Sequence, residues 1–391
     1  MGTDSRPHGV EAVLEPQALD DLICALEKRG FQVLGPIIRD AAIDWQPIGS
    51  SKDIAAGWTA NQSPGSYRLE RRNDSKRFGF AAGPSSLKRF LHEPDVRTFS
   101  VESNGNPFHV LEDTDQPPRR AFLGVRACDL AALKILDRVL LEDRYPDGHY
   151  QRRRESVFLV AVNCTDPASV CFCDSMDTGP RATSGFDLAL TEISCGHLDC
   201  LLAEAGTDRG KEVLAGIPHS PSNKEVRAAA KAAMTAARQQ ISRRLETVGL
   251  KQALYDNFEH PEWERVAARC LGCANCTQVC PTCFCITFED TSGIDGKRAE
   301  RWRRWDSCFT LSHSYIHGGS VRQSAKARYR QWVTHKLAAW EDQFGTSGCV
   351  GCGRCIAWCP AGIDITETAS IIGRSAAPNI NYVPVTTESE S

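Results

Sequence analysis

No run of about 18 apolar residues occurs anywhere in the sequence, so no transmembrane helix is expected. The first residues, MGTDSRPHGVEAVLEP, also lack a charged segment followed by an apolar one, so no secretory leader is expected either. An excess of one charge is missing too: 46 Lys and Arg against 49 Asp and Glu leave a formal −3, with no basic bias towards nucleic acid. A soluble, cytoplasmic protein without nucleic-acid or membrane partners is therefore expected. Its 391 residues suit about two domains, and 41% apolar content with 24% charge is ordinary for a globular chain.

Cysteine is what the sequence has in excess. In a reducing compartment 18 cysteines are hard to keep as disulfides, which leaves metal ligation as the better account. They are also crowded: one at Cys24, six from Cys128 to Cys200, and eleven from Cys270 to Cys359.

Along the chain, Pro16 to Lys28 predicts a helix and Phe31 to Ile38 a strand, followed by polar loop sequence up to about Phe78. Arg120 to Leu140 reads as a short apolar strand and then a helix with Leu130, Leu133, Leu136 and Leu140 on one face, with Cys128 in the turn between them. Val157 to Val162 is a buried-strand candidate that ends at Asn163-Cys164. Ser222 to Leu254, rich in Ala, Lys, Arg and Gln and free of proline, predicts one or two helices. The fold class expected is α+β. It comprises an N-terminal α/β-type domain over 1–221, a helical connector over 222–258, an α-helical dicluster ferredoxin domain over 259–372 and a loose tail over 373–391.

Cys270-Leu-Gly-Cys273-Ala-Asn-Cys276-Thr-Gln-Val-Cys280-Pro281 meets the C-x2-C-x2-C-x3-C-P pattern of two-cluster ferredoxins, and Cys349-Val-Gly-Cys352-Gly-Arg-Cys355-Ile-Ala-Trp-Cys359-Pro360 repeats it. Two-residue gaps let a tight loop aim three thiolates at one cubane, while the fourth faces the other cluster. One [4Fe–4S] cluster is accordingly assigned to Cys270, Cys273, Cys276 and Cys359, and a second to Cys349, Cys352, Cys355 and Cys280. Zinc is the alternative for paired CxxC units, but two quartets, each closed by Cys-Pro, argue against it. The long insertion between the motifs, Ile286 to Gly348, must be structured. Val321 to Phe344 has helical composition, and Trp302, Trp305, Trp332 and Trp340 are expected to pack the domain or shield the clusters.

Cys128, Cys164, Cys171 and Cys173 make a further quartet, either ligands of a third cluster or small buried thiols in a rigid Gly/Pro loop. Cys195 and Cys200 are weaker alternatives. Cys283, Cys285 and Cys308 are expected to pack rather than to line an electron path or bear on a cluster edge, and His313 and His317, four apart, to be satisfied polar histidines rather than a metal pair.

The segments RACDLAALKILDRV, NCTDPASVCFCDSMDTGP, CLGCANCTQVCPTCFC, RWDSCF, RYRQWVTHKL and DQFGTSGCVGCGRCIAWCPAGIDI resemble the beta subunit of the sulfhydrogenases, cytoplasmic NAD(P)-linked [NiFe] hydrogenases. They also resemble the electron-transfer subunit of anaerobic sulfite reductase. The resemblance implies a non-catalytic relay of single electrons. Its partners would be a flavin subunit that exchanges hydride with NAD(P)H and the hydrogenase small and large subunits, or else a sirohaem sulfite reductase subunit. It also implies Cys128, Cys164, Cys171 and Cys173 as ligands of a third [4Fe–4S] cluster. The absence of a Gly-x-Gly-x-x-Gly fingerprint, of CxxC pairs arranged for NiFe ligation and of a nucleophile–base constellation agrees with catalysis lying elsewhere.

Overall fold

The computed structural model describes residues 10–103, 108–112, 116–142, 144–195 and 198–375. In the strand Val157–Val162 all six side chains are buried, because both faces of its sheet are covered. Phe158, Val160 and Val162 pack with the helices Ala18–Glu27 and Asp208–Ala215. Val157, Leu159 and Ala161 pack on the opposite face with the helices Ala127–Leu140 and Gly148–Glu155. Leu19, Leu22, Ile23 and Leu26, three and four apart, supply the apolar stripe of the first helix.

The sheet has eight strands in the order 220–221, 11–14, 198–205, 188–195, 157–162, 120–125, 32–39, 42–47. Its centre is parallel, from 188–195 through 157–162 and 120–125 to 32–39, and antiparallel strands flank it. The chain is thus a mixed α and β protein with a sheet-rich N-terminal region and a helical C-terminal region.

Two segments differ from the sequence expectation. The stretch read as polar loop before Phe78 contains the strand Ala42–Pro47 and the hairpin Trp58–Ser63 with Ser66–Arg71. That hairpin buries only alternate positions of one strand, so it carries no apolar run that would announce it. The insertion is structured, but it opens as a β-hairpin, Ile286–Ser292 with Arg298–Trp305, which joins Asp95–Glu102 and His109–Glu112 in a four-stranded antiparallel sheet. Helix follows only at Ala325–Thr334, continuing through a π-helical turn, His335–Ala339, into Trp340–Phe344. The proline-free stretch forms the helices Lys224–Gln240 and Leu250–Asp256, and Val226 and Ala230 of the first pack on the eight-stranded sheet beside Ile193, Cys200 and Leu202. Among the described residues no helix is long and apolar enough to cross a membrane. Most of the expected tail, 376–391, lies outside the described residues.

Candidate metal centres

Adjacent parallel strands Arg120–Val125 and Val157–Val162 end side by side, and each delivers a cysteine just past its carboxyl end: Cys128 in the first turn of the following helix and Cys164 in the loop. The carboxyl edge is where open α/β sheets place ligands, since the connections leave a crevice there. Buried Arg126 ties this edge together, donating to the Val162 and Asn163 carbonyls at 3.3 Å and to those of Phe78 and Phe80 at 2.8 and 2.6 Å. Cys171 and Cys173 fold back onto the same edge. Burial, then Cys164, pushes the Cys171 thiol up to about 12. Cys173 is raised by burial and then by Cys171 and Cys164, and Cys128 by burial first, with Asp129, Cys352 and Cys173 adding to it. All four thiols are buried, and the charge of Cys164 is felt at Cys171 and Cys173 and that of Cys173 at Cys128. Cys200 lies instead under the helix Lys224–Gln240, and the side chain of Cys195 lies outside the described residues.

The two C-x2-C-x2-C loops are conformational twins. Gly272 and Ala274 have φ of +62° and +65°, and the equivalent Gly351 and Gly353 have +62° and +73°. Each loop then enters a short helix, Asn275–Gln278 or Arg354–Ala357. The first thiolate of each loop is met by the backbone N–H two residues on: Gly272 donates to Cys270, and Gly351 to Cys349 at 3.4 Å. N–H groups aimed at sulfur favour the thiolate that iron requires.

The gathering crosses between the loops. Burial drives the Cys276 thiol well above its ordinary range, and the charges of Cys270, Cys359 and Cys273 add to it. Cys355 responds in the same way to burial and then to Cys349, Cys280 and Cys352. The cavity at the first set is lined by Cys270, Cys273, Cys276 and Cys359, with Cys355 of the second set also on its wall, together with the rings of Phe309, Tyr329 and Trp332. Among the described residues no three Cys, His or carboxylate side chains converge closely enough for a single metal ion.

The second loop is jammed against the N-terminal quartet. Phe172 N–H donates to the Gly351 carbonyl at 2.8 Å, and Thr178 Oγ1 to that of Val350 at 2.6 Å. A Cβ on Gly351 would fall 2.6 Å from the Phe172 carbonyl oxygen, and one on Gly353 2.4 Å from that of Val170. Arg354, 1% exposed, lies 2.8 Å from Asp129 Oδ1, itself on a residue 2% exposed, a charge contact rather than an aligned hydrogen bond. The same guanidinium donates to the Gly83 carbonyl at 2.8 Å. Gly353→Ala should therefore cost about 2–4 kcal/mol through backbone strain and overlap. Ala274→Gly in the open twin loop should instead gain up to about 1 kcal/mol by relieving a left-handed alanine. Thermal unfolding of the two variants under anaerobic conditions would show shifts of opposite sign.

Beside Cys280 sits a buried cation that sequence reasoning missed. Lys336, in the π-helical turn, reaches Cys280 Sγ at 3.4 Å, Thr282 Oγ1 at 3.0 Å and the Gly348 carbonyl at 3.0 Å. Burial presses its pKa down, but Cys280, Cys283 and Cys349 outweigh this and keep the ammonium charged. No spacing rule connects residues 280 and 336. Trp332 lines the first cavity and Trp340 packs against Phe284 and Phe344, whereas Trp302 and Trp305 lie on the hairpin. His313 and His317 do not share a helix: His313 pairs with Asp306, and His317 lies in the turn of the hairpin that pairs Tyr315–Ile316 with Gly319–Ser320.

Comparison with known proteins adds a family. The model of a 4Fe-4S dicluster domain matches residues 269–363. Sulfhydrogenase 2 subunit beta of Pyrococcus furiosus is 32% identical over 304 residues, which cover 76% of this chain and 86% of that relative. No solved structure matches.

Proposed function

Because this chain belongs to the sulfhydrogenase beta-subunit family and carries its 4Fe-4S dicluster domain, we propose that it relays single electrons within a multisubunit NAD(P)-linked [NiFe] hydrogenase. In this reading it stands between the hydrogenase small and large subunits on one side and a flavin-bearing NAD(P) subunit on the other. One [4Fe–4S] cluster is held by Cys270, Cys273, Cys276 and Cys359, a second by Cys349, Cys352, Cys355 and Cys280, and a third by Cys128, Cys164, Cys171 and Cys173. The observation that carries the proposal is that Cys359, from the second motif, lines one cavity with Cys270, Cys273 and Cys276 of the first. When bound, each cluster takes up and gives up one electron. The chain supplies the rest. Phe309, Tyr329 and Trp332 exclude water from the first set, the Gly351 N–H holds the Cys349 sulfur, and the Lys336 ammonium offsets thiolate charge at the second. Three sets in contact through 170–173 and 349–355 form one path for electrons. A role in anaerobic sulfite reductase is not favoured, because the relative belongs to a sulfhydrogenase.

Iron and acid-labile sulfide analysis of the anaerobically purified chain, with EPR of the reduced protein, tests the reading. About twelve irons per chain are expected. About eight would remove the third cluster, and none would remove the proposal.

A further inference from the structure

Cys285 and Cys308 stand outside the three sets. The hairpin ladder ends with Ile286 opposite Trp305, and Asp306 N–H then donates to the Cys285 carbonyl at 2.9 Å, so the two cysteines meet just beyond the last strand pair. Their thiols are close enough to bear on each other, and His313 bears on Cys285. His313 Nδ1 lies 3.0 Å from Asp306 Oδ2. The other Asp306 oxygen accepts from the Ser307 N–H and the Thr310 hydroxyl, each at 2.7 Å, which fixes the carboxylate. Asp306, His313 and Cys285 therefore form a carboxylate–imidazole–thiol line, the arrangement that activates a cysteine, with a second thiol in contact. Cys308 and His313 hold Cys285 down to about 4 against burial, while Cys285 lifts His313 to about 9.

A ligand role fits less well. Cys283 turns to Cys280 instead, which leaves two thiols at this spot rather than a quartet. A route for electrons is present: Cys308 packs against the same apolar core as Cys270, Cys276 and Cys355, and the charge of Cys276 is felt at its thiol.

We propose that Cys285 and Cys308 are a redox-active dithiol/disulfide couple, with His313 as its proton relay, that exchanges electrons with the iron–sulfur carriers beside it; this rests on the electron-transfer reading above. In the reducing direction the Sγ–Sγ bond breaks. It takes two electrons, one at a time from one-electron iron–sulfur donors, and one proton, leaving Cys285 as thiolate and Cys308 as thiol. The proton passes His313, whose side chain is 26% exposed. In the oxidising direction the same bond forms, two electrons return singly, and the Cys308 proton leaves. The couple converts paired thiol chemistry into single-electron transfer.

The test is differential thiol labelling of the anaerobic, iron-loaded full chain. The protein is poised at a series of potentials, quenched in acid and treated with N-ethylmaleimide; it is then reduced, treated with iodoacetamide and read by peptide mass spectrometry. Cys285 and Cys308 should change label together, with the slope of a two-electron couple and no loss of iron. In Cys308→Ser, Cys285 should keep the first label at every potential. His313→Asn should slow native alkylation of Cys285 at pH 7 by about tenfold while leaving the switch in place. The couple is overturned if both thiols keep the first label at all potentials, or if Cys285→Ser or Cys308→Ser loses about four irons, which would make them cluster ligands. An unchanged alkylation rate in His313→Asn overturns the relay. The parallel iron count separates the two readings: an iron-free chain sinks the electron-transfer role, and an iron-loaded chain whose thiols never pair sinks this one.

Discussion

Asp129→Asn should lower the stability of the iron-loaded protein by about 3–5 kcal/mol, because it leaves the Arg354 guanidinium buried without its counter-charge. The substitution keeps shape and volume, so the loss is electrostatic. Arg354 cannot escape to water: it is 1% exposed and anchored to the Gly83 carbonyl. Nor can it shed its proton, since Asp129 and Cys352 outweigh burial and raise its pKa further. Adding Arg354→Met to the same chain should recover much of the stability, because it removes the uncompensated buried charge itself. Thermal and denaturant unfolding of the single and double variants measures both. A single variant within about 1 kcal/mol of the parent would mean that the pair does not hold the second loop to the helix Ala127–Leu140.

Cys359→Ser is expected to remove about four of roughly twelve irons and to do so at a loop far away in sequence. Cys270, Cys273 and Cys276 should become open to N-ethylmaleimide in the native protein, while Cys349, Cys352 and Cys355 stay protected. Cys280→Ser should give the mirror image. The expectation rests on Cys359 lining the cavity of Cys270, Cys273 and Cys276, and on the charge of Cys280 being felt at Cys349, Cys352 and Cys355 as well as at Cys276. If each substitution instead exposed the cysteines of its own loop, the crossed ligand assignment would be wrong.

What could be read from the sequence was local. The eight ferredoxin cysteines declare themselves because two-residue gaps and a following proline lie within one turn of chain. Cys128 and Cys164 could be placed at strand ends because Arg120–Val125 and Val157–Val162 are apolar runs bounded by polar residues. What could not be read was set by partners far away in sequence. The strand Asp95–Glu102 pairs with Arg298–Trp305 across some two hundred residues, and Lys336 meets Cys280 through a π-helical turn. His313 finds its carboxylate in Asp306, seven residues back across an irregular turn that matches no helix or strand period. The polar hairpin Trp58–Arg71 escaped notice although its tip touches the second motif, where Gly65 N–H donates to the Ile356 carbonyl at 3.0 Å and Tyr67 stacks 5.0 Å from Trp358.

The crossing of the fourth thiol also has a consequence during synthesis. Cys276 leaves the ribosome roughly eighty residues before Cys359, which at ~5–20 residues per second is a wait of about 4–16 s. Through that interval three thiols of the first set are present and the fourth is still unmade. A nascent chain that stops short of Cys359 cannot close that set, so on this ligand assignment the first cluster is completed only after the second motif is made, whereas the thiols from Cys128 to Cys173 are all present long before.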